Sequence, residues 1–450
     1  MRHDAQGLVL STASDAAAAA YDHLVNGYLK YRLDLPQRLK ALLEADPEFG
    51  LAHCIQGYFT MLAYKQAVVP MAAKSEALAR RFTEHATPRE RAHVEALAAW
   101  IAGDLDRAVE LWEHILAGHP RDVIAFRLAH FVNFWLGRPQ DMLASVQRVM
   151  PAWSSADGKP FGSMLACYCF AQEEAGNLIA AEPAGRRAIE IDPGDLWAAH
   201  AVAHVLEMQG RRTEGLQWLA ALAPNWEGGN NLQHHLWWHA ALYKLEQGDT
   251  AAVLDLYDTR YRNQNSPLVI AQPDVYIDVQ NAAAMLFRLE RLGVDVGDRW
   301  GELADKAEGR IGDCLSGFTL PHWIMALTAS GRTEAAERMI AGMREFGQGH
   351  GTMAPIVRDY AVPISEALVA LKAGRATEAV ALMRPALGGM YRLGGSHAQQ
   401  DVLEQIFAEA ALQSDSAEDL RLIVERVSGR RQLPPQRSIG WRKAAARANL

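Results

Sequence analysis

The sequence lacks the features that several large classes of protein require. No stretch approaches the ~18 consecutive apolar residues of a membrane-spanning helix, and the N-terminal residues have no long apolar core like that of a secretory signal peptide. Only four cysteines occur, Cys54, Cys167, Cys169 and Cys314, and their spacing shows no disulfide framework. We therefore expect a cytoplasmic protein with reduced thiols and no membrane contact.

An excess of positive charge is also absent. The chain has 45 basic and 53 acidic residues and a net charge of −8 at pH 7, whereas a general nucleic-acid binder needs a basic face to neutralise phosphates. It contains no Gly-rich phosphate loop and no GxSxG, HExxH or CxxC motif. Nucleic acid is thus not an expected partner, and kinase, Rossmann, α/β-hydrolase and zinc-finger chemistry are not expected either.

What the sequence does contain is a regular series of signals that end helices. Alanine is abundant, which favours helices, and 450 residues are too many for one compact domain unless the chain is a repeat array. Short glycine-centred breaks recur between amphipathic segments, the first five spaced 34, 39, 34 and 38 residues apart. Such a unit accommodates two helices of about a dozen residues. The glycines are Gly103, Gly137, Gly176, Gly210, Gly248, Gly331 and Gly374.

Other residues recur at fixed distances after these glycines. Five residues after most of them stands a small residue, which lets two helices approach closely, and seventeen residues after two of them stands Pro120 or Pro193. We expect each glycine to end a first helix in a left-handed conformation and each proline to begin the next helix. The small residues are Ala108, Ala181, Gly215, Ala336 and Ala379.

These signals predict an all-α, right-handed superhelical solenoid of tetratricopeptide-like helix pairs. We expect N-terminal repeats over residues 1–260, a modified repeat with a long loop over 261–310, and C-terminal repeats over 311–425. Residues 426–450 contain seven basic residues and no acidic ones. This last segment is predicted to be a basic C-terminal tail or cap, because terminal repeats need a polar cover.

Three segments resemble the tetratricopeptide repeat protein 38 family. They are LWAAHAVAHVLEMQGRRTEGLQWL (196–219), HHLWWHAALYKLEQGD (234–249) and LGGSHAQQDVLEQI (393–406). The resemblance extends over most of the chain and implies a superhelical helix-pair array. It implies no settled reaction, so it does not decide between a scaffold and an enzyme.

The repeat register predicts which side chains line the inner surface. In such repeats positions 2, 5, 9 and 12 of the first helix face inward, counted so that the closing glycine is 15. With Gly210 at 15, His200, His204 and Glu207 take positions 5, 9 and 12. Their spacing of four and three places them on one helix face.

The neighbouring repeats add further polar and aromatic groups. With Gly248 at 15, His235 takes position 2 and Trp238 position 5, with His239 beside it. Since neighbouring first helices lie ~8–10 Å apart, the two histidine groups are expected to converge. In the preceding repeat, positions 9 and 12 are occupied by Phe170 and Glu173.

Three interpretations of this surface remain open. The side chains pack between helices or line an ordinary peptide groove; or His204, held by Glu207 one turn later, transfers protons near neutral pH. In the third, His200 and His204, with His235 or Glu207 as third ligand, bind a divalent metal. The spacing His-x₃-His-x₂-Glu permits a metal but matches no established signature.

The segment GGSHAQQD (394–401) is the next candidate. Ser396 and Gln399 have the spacing of a capping box that begins a helix. His397 and Asp401 would then share a helix face and could pair. The segment is interpreted either as a structural helix start or as a contributor to the groove.

We therefore expect a protein that binds a small organic molecule or a peptide in a groove centred on His200, His204, Glu207, His235 and Trp238. The aromatic residues and histidines favour a compact pocket over an open cradle. The alternative is a hydrolytic or proton-transferring enzyme on the same surface, with His204 as base and Glu207 orienting it. No cofactor is certain, a divalent metal is possible, and the sequence makes no prediction of oligomeric state.

Overall fold

The computed structural model describes residues 1–450, which divide into two compact units. The first unit comprises Met1–Val202, Pro224–Leu232 and His350–Thr352. It begins with two antiparallel strands, β1 (Arg2–His3) and β2 (Val9–Leu10). Its helices are α1 (Asp15–Leu29), α2 (Leu35–Ala45), α3 (Gly50–Met61), α4 (Val69–Phe82), α5 (Pro88–Ile101), α6 (Leu105–Gly118), α7 (Val123–Trp135), α8 (Pro139–Val149), α9 (Lys159–Glu174), α10 (Leu178–Ile191) and the start of α11 (Leu196–Met208).

The second unit comprises Ala203–Ala223, Gln233–Gly349 and Met353–Leu450, so the division falls within α11. Its remaining helices are α12 (Arg212–Leu222), α13 (Leu232–Glu246), α14 (Thr250–Leu256), α15 (Pro267–Ala271), α16 (Tyr276–Arg291), α17 (Arg299–Glu308), α18 (Thr319–Ala329), α19 (Thr333–Phe346), α20 (Met353–Ile356), α21 (Val362–Lys372), α22 (Ala376–Met383), α23 (His397–Gln413), α24 (Ala417–Ser428) and α25 (Arg442–Arg447).

The predicted glycine turns are confirmed at every position. All seven glycines have a positive φ, between 64° and 86°, in the left-handed region that only glycine enters at little cost. Each lies between two consecutive helices, as Gly103 does between α5 and α6 and Gly374 between α21 and α22. The fold is therefore an all-α succession of helix pairs, as the sequence predicts.

The small residues after these turns lie where helices approach closely. Ala108, Ala181, Ala336 and Ala379 are completely buried. At Gly215 an added Cβ would lie 2.4 Å from Cζ of Tyr243, which is far below a normal contact distance. The sequence therefore places its smallest side chain where a neighbouring aromatic ring leaves no room.

The prolines do not begin helices, contrary to the sequence prediction. Pro120 lies three residues before α7 and Pro193 three residues before α11. Aspartates cap the two helices instead: Oδ1 of Asp122 accepts from the backbone N of Ala125 at 2.9 Å, and Oδ1 of Asp195 accepts from that of Ala198 at 2.9 Å. A carboxylate satisfies an otherwise unbonded N–H at a helix start, whereas proline only avoids having one.

The modified repeat predicted over 261–310 contains more structure than a long loop. Pro267 begins the short helix α15 within it, because proline suits the first turn of a helix. Helices α16 and α17 follow within the same range. No helix of the structure has both the length and the apolar character needed to cross a bilayer.

Candidate functional site

Helices α11 and α13 bring three histidines of the second unit together. His235 and His239 are four residues apart on α13 and therefore share one face of it. The ring centroid of His239 lies 4.8 Å from that of His235 and 4.5 Å from that of His204 on α11. One ring nitrogen from each of these three residues lies within 4.8 Å of the other two. We call His204, His235 and His239 the histidine cluster.

The prediction that Glu207 bonds to His204 was wrong. Glu207 was expected to hold His204, but its Oε2 accepts from Nδ1 of His239 at 2.9 Å. His204 on the same helix and His239 on the facing helix are both near this carboxylate, and its hydrogen bond goes to the facing helix. An acid–base pair at this surface would accordingly be His239 with Glu207.

The cluster is buried, and burial shifts the pKa of two of its histidines. All three rings are shielded from solvent. Burial is the main cause that lowers the pKa of His204 well below its usual value, and the neighbouring histidines lower it further. Burial and His239 likewise lower the pKa of His235, which the hydrogen bond to Asn281 only partly opposes. At neutral pH His204 and His235 therefore carry no charge.

Two side chains hold the ring of His235. Nδ2 of Asn281 on α16 lies 2.9 Å from its Nδ1, and Trp238 stacks on it with ring centroids 5.1 Å apart and an interplanar angle of 14°. The predicted inner-surface residue Trp238 is fully buried, so it positions this histidine rather than facing an open groove.

The adjacent His234 belongs to a separate buried pair. Its Nδ1 lies 2.8 Å from Oδ2 of Asp278 near the start of α16. Asp278 thus links α16 to α13.

Asp401 on α23 binds two arginines of the second unit. Its carboxylate accepts from the indole Nε1 of Trp441 at 2.8 Å and lies 2.9 Å from Nη2 of Arg431 and 3.3 Å from Nη2 of Arg288. Burial alone would raise the pKa of Asp401, but Arg431 and Arg288 hold it below its usual value. Asp401 is therefore ionised at neutral pH.

The predicted pairing of His397 with Asp401 was wrong. The two share no hydrogen bond because Arg288, Arg431, Trp441 and Gln405 occupy the carboxylate. Burial lowers the pKa of His397 to about 3, with Arg430 and Arg431 adding to the effect. The predicted capping box of Ser396 and Gln399 at the start of α23 is confirmed.

The basic residues 430–450, which we call the C-terminal segment, fold against α11, α13 and α23. Ser438 Oγ donates to Oε1 of Glu246 at 2.7 Å, and the backbone N of Gln432 donates to the carbonyl of Met208 at 3.1 Å. Arg430 forms an ion pair with the fully buried Glu404. Trp441 is completely buried as well.

A polar cavity of about 300 Å³ lies within the second unit. Its walls come from α11, α12, α13, α16, α23 and the C-terminal segment. Glu207 lines this cavity and also holds His239, so the histidine cluster lies directly behind one wall. The cationic side chains that line it are Arg212, Arg288, Arg291, Arg431, Arg442 and Lys443, and the carboxylates are Glu207, Glu246, Asp401 and Glu409.

The other predicted inner-surface residues lie in the first unit. The ring centroid of Phe170 is 4.7 Å from Trp197 and 5.3 Å from His200, and Glu173 on the same helix α9 is fully buried. His200 also packs on Trp197, with centroids 4.7 Å apart. Phe170 and His200 thus belong to an aromatic cluster.

Sequence reasoning missed most of the cavity-lining charges. Arg288 and Arg291 interrupt an otherwise apolar stretch of α16, and a buried arginine requires a carboxylate or another acceptor nearby. That pattern was a usable signal. The acid-free C-terminal segment was a second one, although nothing in its spacing indicates that Arg431 and Trp441 bind the same carboxylate.

Comparisons with known proteins give only distant likenesses. No protein-family model matches the chain. The structure of the human IFIT1 dimer with m7Gppp-AAAA is similar over 89% of this chain and 89% of that one, at 12% identity and a TM-score of 0.42. The structure of Naa15/Naa10 bound to HypK-THB is similar over 92% of this chain and 63% of that one, at 11% identity and a TM-score of 0.26. Fold and site define a helix-pair protein with a charged cavity, and these likenesses add no ligand or reaction.

Proposed function

We propose that this protein binds a small organic anion, bearing a carboxylate or a phosphate, in the cavity of the second unit. The observation that carries the proposal is the charge of the cavity lining. Six cationic and four carboxylate side chains surround about 300 Å³, a volume at the lower end of small-molecule sites. A peptide would need a longer open groove, so we favour the small molecule over the peptide.

Three of the four carboxylates of the lining have cationic partners. Asp401 pairs with Arg288 and Arg431, while Glu246 pairs with Arg212 and Glu409 with Arg291. Because six cationic side chains face four carboxylates, a carboxylate or a phosphate from a ligand would meet an excess of positive charge.

Arg442 and Lys443 supply that excess. Both are exposed, both line the cavity, and neither forms an ion pair in the structure. They give the cavity a net positive rim on a chain whose overall charge is −8. Such a local field attracts anions and repels cations.

The proposal is tested by thermal unfolding of the full chain with matched pairs of probes. Glycerol phosphate and succinate are compared with glycerol and succinamide at equal ionic strength. At least one anion is expected to raise the Tm above its neutral counterpart; a ligand at a hundred times its Kd stabilises by about 2.7 kcal/mol.

The variant Arg442→Glu/Lys443→Glu should lose that stabilisation. The control Lys74→Glu/Arg81→Glu makes the same charge change on exposed residues of α4 in the first unit and should retain it. The proposal is refuted if neither anion exceeds its neutral counterpart, or if the two double variants respond alike.

We also propose membership of the tetratricopeptide repeat protein 38 family. Support comes from the three segments at 196–219, 234–249 and 393–406, which contain all of the histidine cluster as well as Glu207 and Asp401. Profiles built from that family, aligned to this chain, should match these segments in register. A match confined to the glycine turns would contradict membership.

A further inference from the structure

The histidine cluster has the composition of a metal site. His204, His235 and His239 each offer an imidazole nitrogen, and those nitrogens lie within 4.8 Å of one another. An ion bound to three nitrogens at the usual ~2.0–2.1 Å brings them to roughly 3–3.5 Å separation. Small rotations of the rings would therefore suffice to close the site.

The hydrogen-bond partners of two of the rings also match those that histidines have at metal sites. Nδ1 of His239 lies 2.9 Å from Oε2 of Glu207. A ligating histidine usually donates its second N–H to a carboxylate or carbonyl in this way, which fixes the tautomer and turns the other nitrogen towards the metal. Nε2 of His239 would accordingly be the ligating atom.

Asn281 can do the same for His235. Its amide lies 2.9 Å from Nδ1 of His235, and the oxygen and nitrogen of an amide exchange places by a half-turn. With Oδ1 towards the ring, Asn281 accepts the Nδ1 proton and Nε2 of His235 becomes the ligating atom. Trp238, stacked on this ring, keeps its plane fixed.

The surroundings also suit a metal ion. The three rings are buried and lie against one another, so an ion bound between them would be shielded from solvent. A neutral imidazole is the form that binds a metal ion. Glu207 supplies one negative charge next to the cluster and lines the cavity, which gives an ion a route from solvent.

We infer that His204, His235 and His239 bind one divalent transition-metal ion, with zinc as the ion whose ligand preference they match best. Three protein ligands are the number that leaves a coordination position for water or a ligand. Glu207 and Asn281 are positioning residues that act through His239 and His235. The inference does not depend on the proposed function, because the ion is tested without any organic anion.

The test uses the full chain stripped with a chelator, dialysed against limiting zinc and analysed for bound metal. One zinc per chain is expected. His235→Gln and His239→Gln should reduce it to background with unchanged far-UV circular dichroism. His234→Gln is the matched control: it makes the same change at an equally buried histidine of the same helix, whose partner is Asp278, and should retain the metal.

A second measurement keeps the inference testable if variants of the metal-binding histidines fail to fold. Glu207→Gln keeps the shape of the positioning residue, and loss of such an outer contact weakens metal affinity about 10–100-fold, measured by competition with a chromophoric chelator. Cobalt in place of zinc should give the intense visible bands of a four-coordinate nitrogen-rich site. The inference is overturned if the unaltered chain binds no zinc, or if His234→Gln loses as much metal as His239→Gln.

Discussion

Trp441 anchors the C-terminal segment, and its replacement is predicted to release that segment. The indole is completely buried, and its Nε1 donates to the ionised Asp401 at 2.8 Å. A hydrogen bond to a charged group contributes ~1.5–3 kcal/mol, and truncation of a buried tryptophan to alanine costs ~3–5 kcal/mol. We therefore expect Trp441→Phe to lower the free energy of unfolding of the second unit by about 2 kcal/mol and Trp441→Ala by about 4 kcal/mol.

Two measurements detect this loss of stability. Urea unfolding monitored by circular dichroism gives the change in the free energy of unfolding. Limited trypsin digestion gives the opening of the segment, since cleavage at Arg431, Arg437, Arg442 and Lys443 requires local unfolding. In Trp441→Ala these sites should be cut well before any site elsewhere in the chain.

A matched tryptophan in the first unit separates local release from general destabilisation. Trp112 is also fully buried, and its Nε1 donates to Oη of Tyr58 at 3.0 Å. Trp112→Ala should cost a similar amount without early cleavage of the C-terminal segment. Equal cleavage rates in both variants, or an unaltered rate in Trp441→Ala, would refute the role assigned to Trp441.

Two further predictions concern packing and pH. Gly215→Ala places a Cβ 2.4 Å from the ring of Tyr243 and should destabilise by ~1–3 kcal/mol in chemical unfolding. Gly301→Ala, where an added Cβ meets nothing within 4 Å, should instead stabilise α17 by ~0.5–1 kcal/mol. Burial lowers the pKa of His322 from 6.5 to about 4, so its contribution to stability is complete above pH 6.5 and is lost as the pH falls towards 4. By pH 5 the loss from His322 is about 2 kcal/mol; His322→Asn should make the total loss between pH 7 and pH 5 smaller by this amount, whereas the same change at the exposed His114 should not alter it.

The sequence was sufficient for the helix pairs because the signal was local. Glycine is the residue that most often takes the left-handed conformation at the end of a helix, so Gly103, Gly210 and Gly374 each mark a turn. Close helix contacts left an equally local signal at Ala108 and Gly215. The prolines misled because a position before a helix and a position at its start look alike in sequence.

The candidate site was predictable only in part. Repeat register correctly brought His204 near His235 and His239, since first helices of successive pairs are neighbours. It could not reveal that Glu207 bonds to His239, because the choice between two acceptable partners depends on side-chain orientation. Contacts such as that of Asp401 with Trp441 join residues with no periodic relation, and no local pattern encodes them.

The shared carboxylate of Asp401 has a consequence for how this protein can change over time. Four side chains donate to it at once. Replacing Asp401 alone would leave the buried Arg288 without its carboxylate partner, and it would leave Arg431 and Trp441 without their common acceptor. Substitutions at these positions should be strongly non-additive. Divergent copies of this chain are therefore expected to keep Asp401 and its donors as a set or to exchange them together, passing rarely through forms that carry only some of them.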